Sequence, residues 1–176
     1  MHVERSAGER SSKEAALAAL YDEYYDKIAH YIFVRIDDRT EAEDLAGEVF
    51  LKALESLDSY KERGIPMQAW LFKIAHNLVV DYIRQVRKRK TVPIDTVEVA
   101  DESDLQAMAE TNIELERVAR ALDQLTLAQR QVVELRFFGG LTSEEAGRVL
   151  TKSSGAVREM QSAAMRQLRK LLYEES

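Results

Sequence analysis

Residues 142–166, TSEEAGRVLTKSSGAVREMQSAAMR, contain two helical patterns separated by a short turn. Ala146 and Val149 share one face of the first pattern, and the small residue Gly147 beside them would let a second helix cross closely. Ser153 or Ser154 stands where a serine side chain can cap the second helix by accepting hydrogen bonds from its first backbone amides. The stretch therefore predicts a helix-turn-helix.

The second helix of such a motif can place its N-terminal side chains in the major groove of DNA. Arginine and glutamine can hydrogen-bond to base edges there, and glutamate can accept from a cytosine amino group. The exposed reading positions predicted from the helical spacing are Arg158, Glu159, Gln161 and Ser162. The alternative is an αα-hairpin that only packs on its neighbours, because small residues at a tight turn serve any hairpin.

Apolar residues recur at intervals of three and four on the N-terminal side of this motif. They predict one helix from about Glu14 and a second helix after a break, where Thr40 and Glu43 fit a capping box. A third helix is predicted at about Ala69–Lys88, after a loop that contains Gly64 and Pro66.

Residues 91–116 are different, because they contain eight acidic and no basic side chains and little large apolar surface. They predict an extended acidic linker, with a short helix near Leu105–Met108. The alternating run Val92–Val99 lies in this stretch, so no strand is predicted. The predicted fold class is all-α, with a small helical domain at residues 14–90, a flexible acidic linker at 91–112 and a second small helical domain at 113–173.

Composition excludes several classes of protein. The 176 residues include no cysteine, which excludes disulfide frameworks, thiol catalysis and cysteine-based zinc sites. No apolar run approaches the about 20 residues of a transmembrane helix, and the start lacks the layout of a secretory signal. The histidines fit no metal-ligand spacing, and neither a phosphate-binding glycine loop nor a nucleophile elbow is present. We therefore expect a soluble intracellular protein without metal or cofactor, and an enzyme is the least supported class.

The net charge of −6 conceals a basic block at residues 61–90, which hold eight basic and two acidic side chains. Aromatic rings beside cations and amides suit single-stranded DNA, because bases stack on the rings and phosphates meet the cations. The residues that form this pattern are Tyr60, Trp70, Lys73, His76, Asn77 and Arg84. The alternative is that Trp70 anchors the core and that the basic run ends a solvated helix, where the helix dipole favours cations.

The second predicted helix carries an acidic stripe. Asp44 and Glu48 lie four residues apart on one face, where their repulsion costs about 0.2–0.5 kcal/mol. A negative stripe beside apolar residues can dock a basic protein surface. The alternative is that acidic residues complement the dipole at the helix N-terminus, which would explain Asp44 but not Glu48.

Taken together, these motifs resemble a known family. Glu43–Ala53 (EDLAGEVFLKA) and Ala69–Asp81 (AWLFKIAHNLVVD) are similar to region two of sigma-70-type factors, and most of all to the extracytoplasmic-function group. Leu125–Leu168, which includes Ser153–Arg158 (SSGAVR), resembles region four of the same group. The resemblance covers about residues 14–172, with both regions in the expected order.

The resemblance implies a transcription initiation factor that binds bacterial core RNA polymerase, through the β′ clamp helices and the β flap, and directs it to specific promoters. The implied polymerase-binding residues are Asp44, Leu45, Glu48, Phe50 and Leu54. The implied contacts to the minus-ten element are Tyr60, Trp70, Lys73, Asn77 and Arg84. Those to the minus-thirty-five element are Ser153, Arg158, Glu159, Gln161, Ser162 and Ala163. An anti-sigma factor is a further implied partner, and the implied location is the bacterial cytoplasm, without membrane insertion.

Two rival functions stay open. A stand-alone helix-turn-helix regulator would bind duplex operators tightly as a dimer without polymerase, and it gives no role to Tyr60, Trp70 or Asn77. A helical adaptor would bind only protein, and replacing Arg158 would then change no DNA-dependent property.

Overall fold

The computed structural model describes residues 2–61, 65–90 and 112–174. Every element of regular secondary structure in these ranges is helical, which confirms the all-α prediction. The elements are α1 (His2–Ile36), α2 (Arg39–Glu55), a 3₁₀ turn (Leu57–Ser59), α3 (Met67–Lys90), α4 (Asn112–Asp123), α5 (Leu127–Val133) with a π-helical continuation (Glu134–Phe138), α6 (Ser143–Leu150) and α7 (Ser154–Tyr173). The predicted acidic linker up to residue 111 and the short helix near Leu105–Met108 lie outside the described residues.

The first helix boundary differs from the prediction in two ways. Helix α1 begins at His2 rather than near Glu14. The predicted capping box of Thr40 and Glu43 is wrong, because the N-cap of α2 is Asp38, whose Oδ1 accepts from the Glu41 amide at 3.1 Å. The reason lies one residue earlier: Asp37 adopts a left-handed φ of 54°, which ends α1 and leaves Asp38 extended at the entry to α2.

A single hydrophobic core joins the two halves of the chain. Tyr31 of α1 and Phe72 of α3 are fully buried and pack edge to face at 5.6 Å, in the same cluster as Leu135 and Val149 of the second half. A Cβ placed on Gly139 would lie 3.0 Å from the Phe72 ring, so the backbone of the second half approaches this ring closely. The predicted two domains thus pack directly on each other here.

A second, smaller cluster belongs mainly to the C-terminal half and holds α4, α5 and α7 together. Its buried members are Ala121, Leu122, Leu125, Val133, Ala164 and Leu168. Helix α5 starts with a capping box, in which Thr126 and Gln129 each bond the other's backbone amide. Within the described residues, no helix is long and apolar enough to cross a membrane.

A buried ionic cluster also connects the halves. The Glu134 side chain is fully buried, and its Oε1 accepts from Arg130 Nε at 2.9 Å. Its Oε2 lies 3.9 Å from Nε of Arg35, which comes from α1 and is almost fully buried. Arg130 also donates to the Val34 carbonyl of α1. One nitrogen of Arg35 and Oε2 of Glu134 are buried without a hydrogen bond from the described part of the chain, so the cluster links the halves but is weak evidence that it stabilises their packing.

Candidate nucleic-acid interface

Helices α6 and α7 form the predicted helix-turn-helix, and of the two serines predicted as caps of α7 it is Ser153 that caps the helix. Thr142 Oγ1 accepts from the Glu145 amide at 3.2 Å, and Ser153 Oγ accepts from the Ala156 amide at 3.1 Å. Between the helices, Thr151 has a left-handed φ of 57°. A Cβ on Gly147 would lie 2.5 Å from the backbone oxygen of Lys152. The close approach predicted for this glycine is therefore made by the turn between the two helices.

The capped end of α7 presents one buried and one exposed face. Val157 packs into the core that the two halves share. Arg158, Glu159 and Ser162 are exposed on the other sides of the helix, the N-cap Ser153 is exposed as well, and Gln161 and Ala163 are half-buried. These are the positions at which a recognition helix places side chains toward base edges. The structure therefore exposes four of the six predicted reading residues and leaves the other two half-buried.

Gln161 also makes a structural hydrogen bond that the sequence did not predict. Its Oε1 accepts from Arg136 Nε at 2.9 Å, and Arg136 also donates to the Leu141 carbonyl, just before α6 begins. Arg136 thus ties the recognition helix to the start of the preceding helix. No spacing rule links residues 25 positions apart, so this contact had no signal in the sequence.

Helix α3 carries the cationic and amide residues predicted for single-stranded DNA. Lys73, Asn77 and Arg84 are exposed, and their spacings of four and seven place them on one side of the helix. His76, on a neighbouring face, is half-buried with its Nδ1 at 3.3 Å from the Tyr31 hydroxyl. Burial, and then the charge of a nearby arginine, lower the pKa of His76. Both effects disfavour the charged imidazole, so the half-buried His76 is less suited to bind phosphate than the exposed cations of this helix.

Tyr60 is buried, whereas its predicted role as a base contact requires an accessible ring. Its side chain is only 7% exposed, and its ring packs on Trp70 with the centroids 4.9 Å apart. Its hydroxyl donates to the Ile65 carbonyl at 2.9 Å. The tyrosine is therefore not available to stack on a base in this structure, whereas the half-buried Trp70 keeps part of its surface accessible. The spacing of the two aromatic residues in the sequence could not show that Tyr60 is the buried ring and Trp70 the partly accessible one.

Helix α2 combines exposed acids with exposed apolar side chains. Asp44, Glu48 and Leu54 are exposed, as predicted for a docking surface. Leu45 and Phe50 are buried, at 9% and 7% exposure, so they support this surface from beneath. Two further side chains extend its apolar part. Leu51 is 56% exposed, and Tyr21 of α1 packs on Phe50 with the ring centroids 4.9 Å apart. We name this acidic and apolar surface, formed by Tyr21, Asp44, Glu48, Leu51 and Leu54, the α2 surface.

Comparison with known proteins assigns both halves. The family model described as Sigma-70 region 2 matches residues 20–89, and the model Sigma-70, region 4 matches residues 121–170. The first range contains the α2 surface and α3, and the second contains the helix-turn-helix. The chain belongs to the sigma-70 family of RNA polymerase sigma factors, of the extracytoplasmic-function type.

Individual relatives agree with this assignment. The ECF RNA polymerase sigma factor BldN of Streptomyces coelicolor is 36% identical over 99% of this chain, which spans 66% of that relative's length. SigX of Bacillus subtilis, also an ECF RNA polymerase sigma factor, is 32% identical over 92% of this chain and 88% of its own length.

Solved structures show the same fold. CnrH, determined in complex with the cytosolic domain of CnrY, superposes with a TM-score of 0.70 at 25% identity, covering 97% of this chain and 96% of CnrH. The sigma factor RpoE from Bartonella quintana, determined with the anti-sigma factor NepR, gives a TM-score of 0.67 at 23% identity, covering 88% of this chain and 95% of RpoE.

Proposed function

We propose that this chain is a dissociable specificity subunit that binds bacterial core RNA polymerase and directs it to particular promoters. The observation that carries the proposal is the presence, in one chain, of an acidic docking surface on α2 and an exposed reading face on α7. Membership of both halves in the matching sigma-70 regions supports the pairing of these two surfaces. The chain acts by binding and not as an enzyme, and it works in the cytoplasm, where polymerase and promoters are found.

The α2 surface binds the clamp helices of the polymerase β′ subunit in this proposal. Asp44 and Glu48 supply the negative charge that attracts a basic partner, and Leu51 and Leu54 supply apolar area at the centre of the contact. Leu45 and Phe50 maintain the shape of the surface from inside. The second half makes a separate contact with the β flap.

Promoter DNA is bound by two other surfaces. Trp70 and the cationic and amide side chains of Lys73, Asn77 and Arg84 contact the opened minus-ten element, because unstacked bases expose the edges and faces that a duplex hides. The exposed residues Ser153, Arg158, Glu159 and Ser162, with the half-buried Gln161 and Ala163, face the minus-thirty-five element in the major groove.

Simultaneous contact with both elements requires the two halves to separate. The elements are about 25 base pairs apart, which is ~85 Å along B-DNA at about 3.4 Å per base pair. The chain between Lys90 and Asn112 can reach at most about 75 Å, and the width of the two halves adds to that span. In this proposal the packed arrangement does not contact both elements at once, and an anti-sigma factor, such as the NepR bound to RpoE, is the class of partner that would retain a closed form.

In-vitro transcription with bacterial core polymerase tests the proposal. Addition of the protein to core and a pooled promoter library should produce new start sites that share two spaced elements. Asp44→Arg should abolish binding to core without loss of helical content, since it reverses a charge on the α2 surface. Glu114→Arg, an exposed charge reversal on α4, is the matched control and should leave core binding unchanged.

Two outcomes would contradict the proposal. Tight binding of the free protein to duplex operators, with no binding to core, would favour the stand-alone regulator. Equal core binding by wild type and Asp44→Arg would remove the α2 surface from the polymerase contact.

A further inference from the structure

The N-terminal turns of α1 lie outside the core. Leu17 is the first buried side chain of this helix, and the positions from Val3 to Ala16 are exposed or half-buried. Burial therefore does not explain why the helix extends so far toward the N-terminus. The hydrogen bonds that connect this extension to the rest of the described chain come from two cations, Arg10 and Lys13.

Both cations reach the segment that precedes α3. Lys13 is half-buried, and its Nζ donates to the Tyr60 carbonyl at 3.0 Å. Arg10 pairs with Glu14 on its own helix at 2.9 Å and with Asp58 of the 3₁₀ turn at 2.5 Å. The Arg10 pairs are exposed to solvent and screened, so they contribute little. The Lys13 bond has a charged donor and is partly buried, so it is the stronger restraint.

Tyr60 transmits this restraint to Trp70. Its carbonyl is held by Lys13, its hydroxyl donates to the Ile65 carbonyl at 2.9 Å, and its ring lies against the Trp70 ring at 4.9 Å with an interplanar angle of 36°. One residue thus connects α1, the segment before α3 and the indole in the first turn of α3. Displacement of the Tyr60 backbone would move the surface on which Trp70 rests.

We propose that Lys13 is a positioning residue for promoter opening, because it holds Tyr60 and through it sets the orientation of Trp70 at the minus-ten element. This inference rests on the proposed function as a sigma factor. It assigns a role to a residue that precedes the matched region 2, which begins at residue 20. Lys13 does not touch DNA in this mechanism; it pre-organises the side chain that does.

Fluorescence provides a direct test of the structural link, because Trp70 is the only tryptophan of the chain. Lys13→Met keeps the length and helix propensity of the side chain but removes the donor. We expect a red shift of the tryptophan emission and stronger quenching by acrylamide in Lys13→Met, and wild-type values in Lys13→Arg, which retains a donor. Arg5→Met, at an exposed position of the same helix, is the matched control and should show no change.

Transcription assays test the role in opening. With Lys13→Met, open complexes on a duplex promoter should fall about tenfold, equivalent to ~1.4 kcal/mol, as for loss of a hydrogen bond with a charged donor. On a template whose minus-ten region is already unpaired, the same variant should match wild type. Core binding should also match, because the α2 surface is unchanged, and Lys13→Arg should restore duplex activity.

Several outcomes would overturn the inference. Unchanged emission in Lys13→Met would mean that Lys13 does not set the Trp70 environment. An equal loss on duplex and unpaired templates, or weaker core binding, would reduce Lys13 to a general structural role. If wild type itself initiates on neither template although the emission shifts as expected, the proposed function fails and Lys13 keeps only its structural contact.

Discussion

The buried ionic cluster predicts an unusual dependence of stability on pH. Glu134 is 0% exposed, and burial raises its pKa from 4.5 to about 7, although the charges of Arg35 and Arg130 pull it in the opposite direction. A carboxyl group with a raised pKa binds a proton more tightly in the folded than in the unfolded chain. Its contribution to stability is therefore fully present below pH 4.5 and is lost as the pH rises through about 7.

The size of the effect follows from these two pKa values. With a pKa of 4.5 in the unfolded chain and about 7 in the folded chain, the free energy of unfolding should fall by about 2–3 kcal/mol between pH 5 and pH 8 from Glu134 alone. Two histidines act in the opposite direction, because burial lowers the pKa of His30 and His76 and their protonation at low pH then opposes folding. The Glu134 contribution must therefore be isolated by difference.

Glu134→Gln provides that difference, because glutamine has nearly the same shape and does not titrate. Urea denaturation followed by circular dichroism at pH 5, 6, 7 and 8 should show that the variant lacks this decline of about 2–3 kcal/mol, while the background from the other groups is common to both proteins. Glu144→Gln, at an exposed position of α6, is the matched control and should follow wild type. Parallel pH profiles of wild type and Glu134→Gln, within about 0.5 kcal/mol, would refute the reasoning.

Four further substitutions test the packing and the reading face. Gly147→Ala should destabilise the chain by ~1–3 kcal/mol in thermal denaturation, because its Cβ would lie 2.5 Å from a backbone oxygen. Gly47→Ala, whose Cβ would have nothing within 4 Å, should stabilise the chain by ~0.5–1 kcal/mol. Equal effects of the two substitutions would contradict the geometry. Phe72→Ala should cost ~3–5 kcal/mol in urea denaturation, since the ring fills the core between the halves, and a loss below ~1 kcal/mol would mean that the halves do not pack this way. Arg158→Ala should weaken transcription by ~1–3 kcal/mol only on promoters with an intact minus-thirty-five element, and an equal loss without that element would exclude a base contact.

The helix-turn-helix shows how far local rules extend. Ser153 was one of two serines predicted as the cap of α7, and it makes the expected bond, because a cap depends only on the backbone two or three residues away. The same rule failed at Thr40, because Asp37 took the left-handed conformation that only a few residue types tolerate, and this moved the cap to Asp38. A choice between neighbouring capping residues depends on how the preceding helix ends.

The candidate DNA surface shows where local rules stop. Exposure of Lys73 and Asn77 on α3 was predictable from helical spacing. Burial of Tyr60 beneath Trp70 was not, because two aromatics ten residues apart, across a loop, have no fixed geometry in the sequence. The hydrogen bond from Lys13 to the Tyr60 carbonyl was not predictable either, because a lysine on an exposed helix is normally a solvated charge.

By itself the amino-acid sequence determined the all-α class, the turn between α6 and α7 and the order of the two halves, because periodicity and capping act over a few residues. Only the tertiary structure decided that the halves share one core around Phe72, and that Glu134, an ordinary surface acid by its sequence, is buried between two arginines. The physical reason is that an apolar helix face specifies burial but not its partner, and a buried charge is tolerated only where distant residues supply compensating charge.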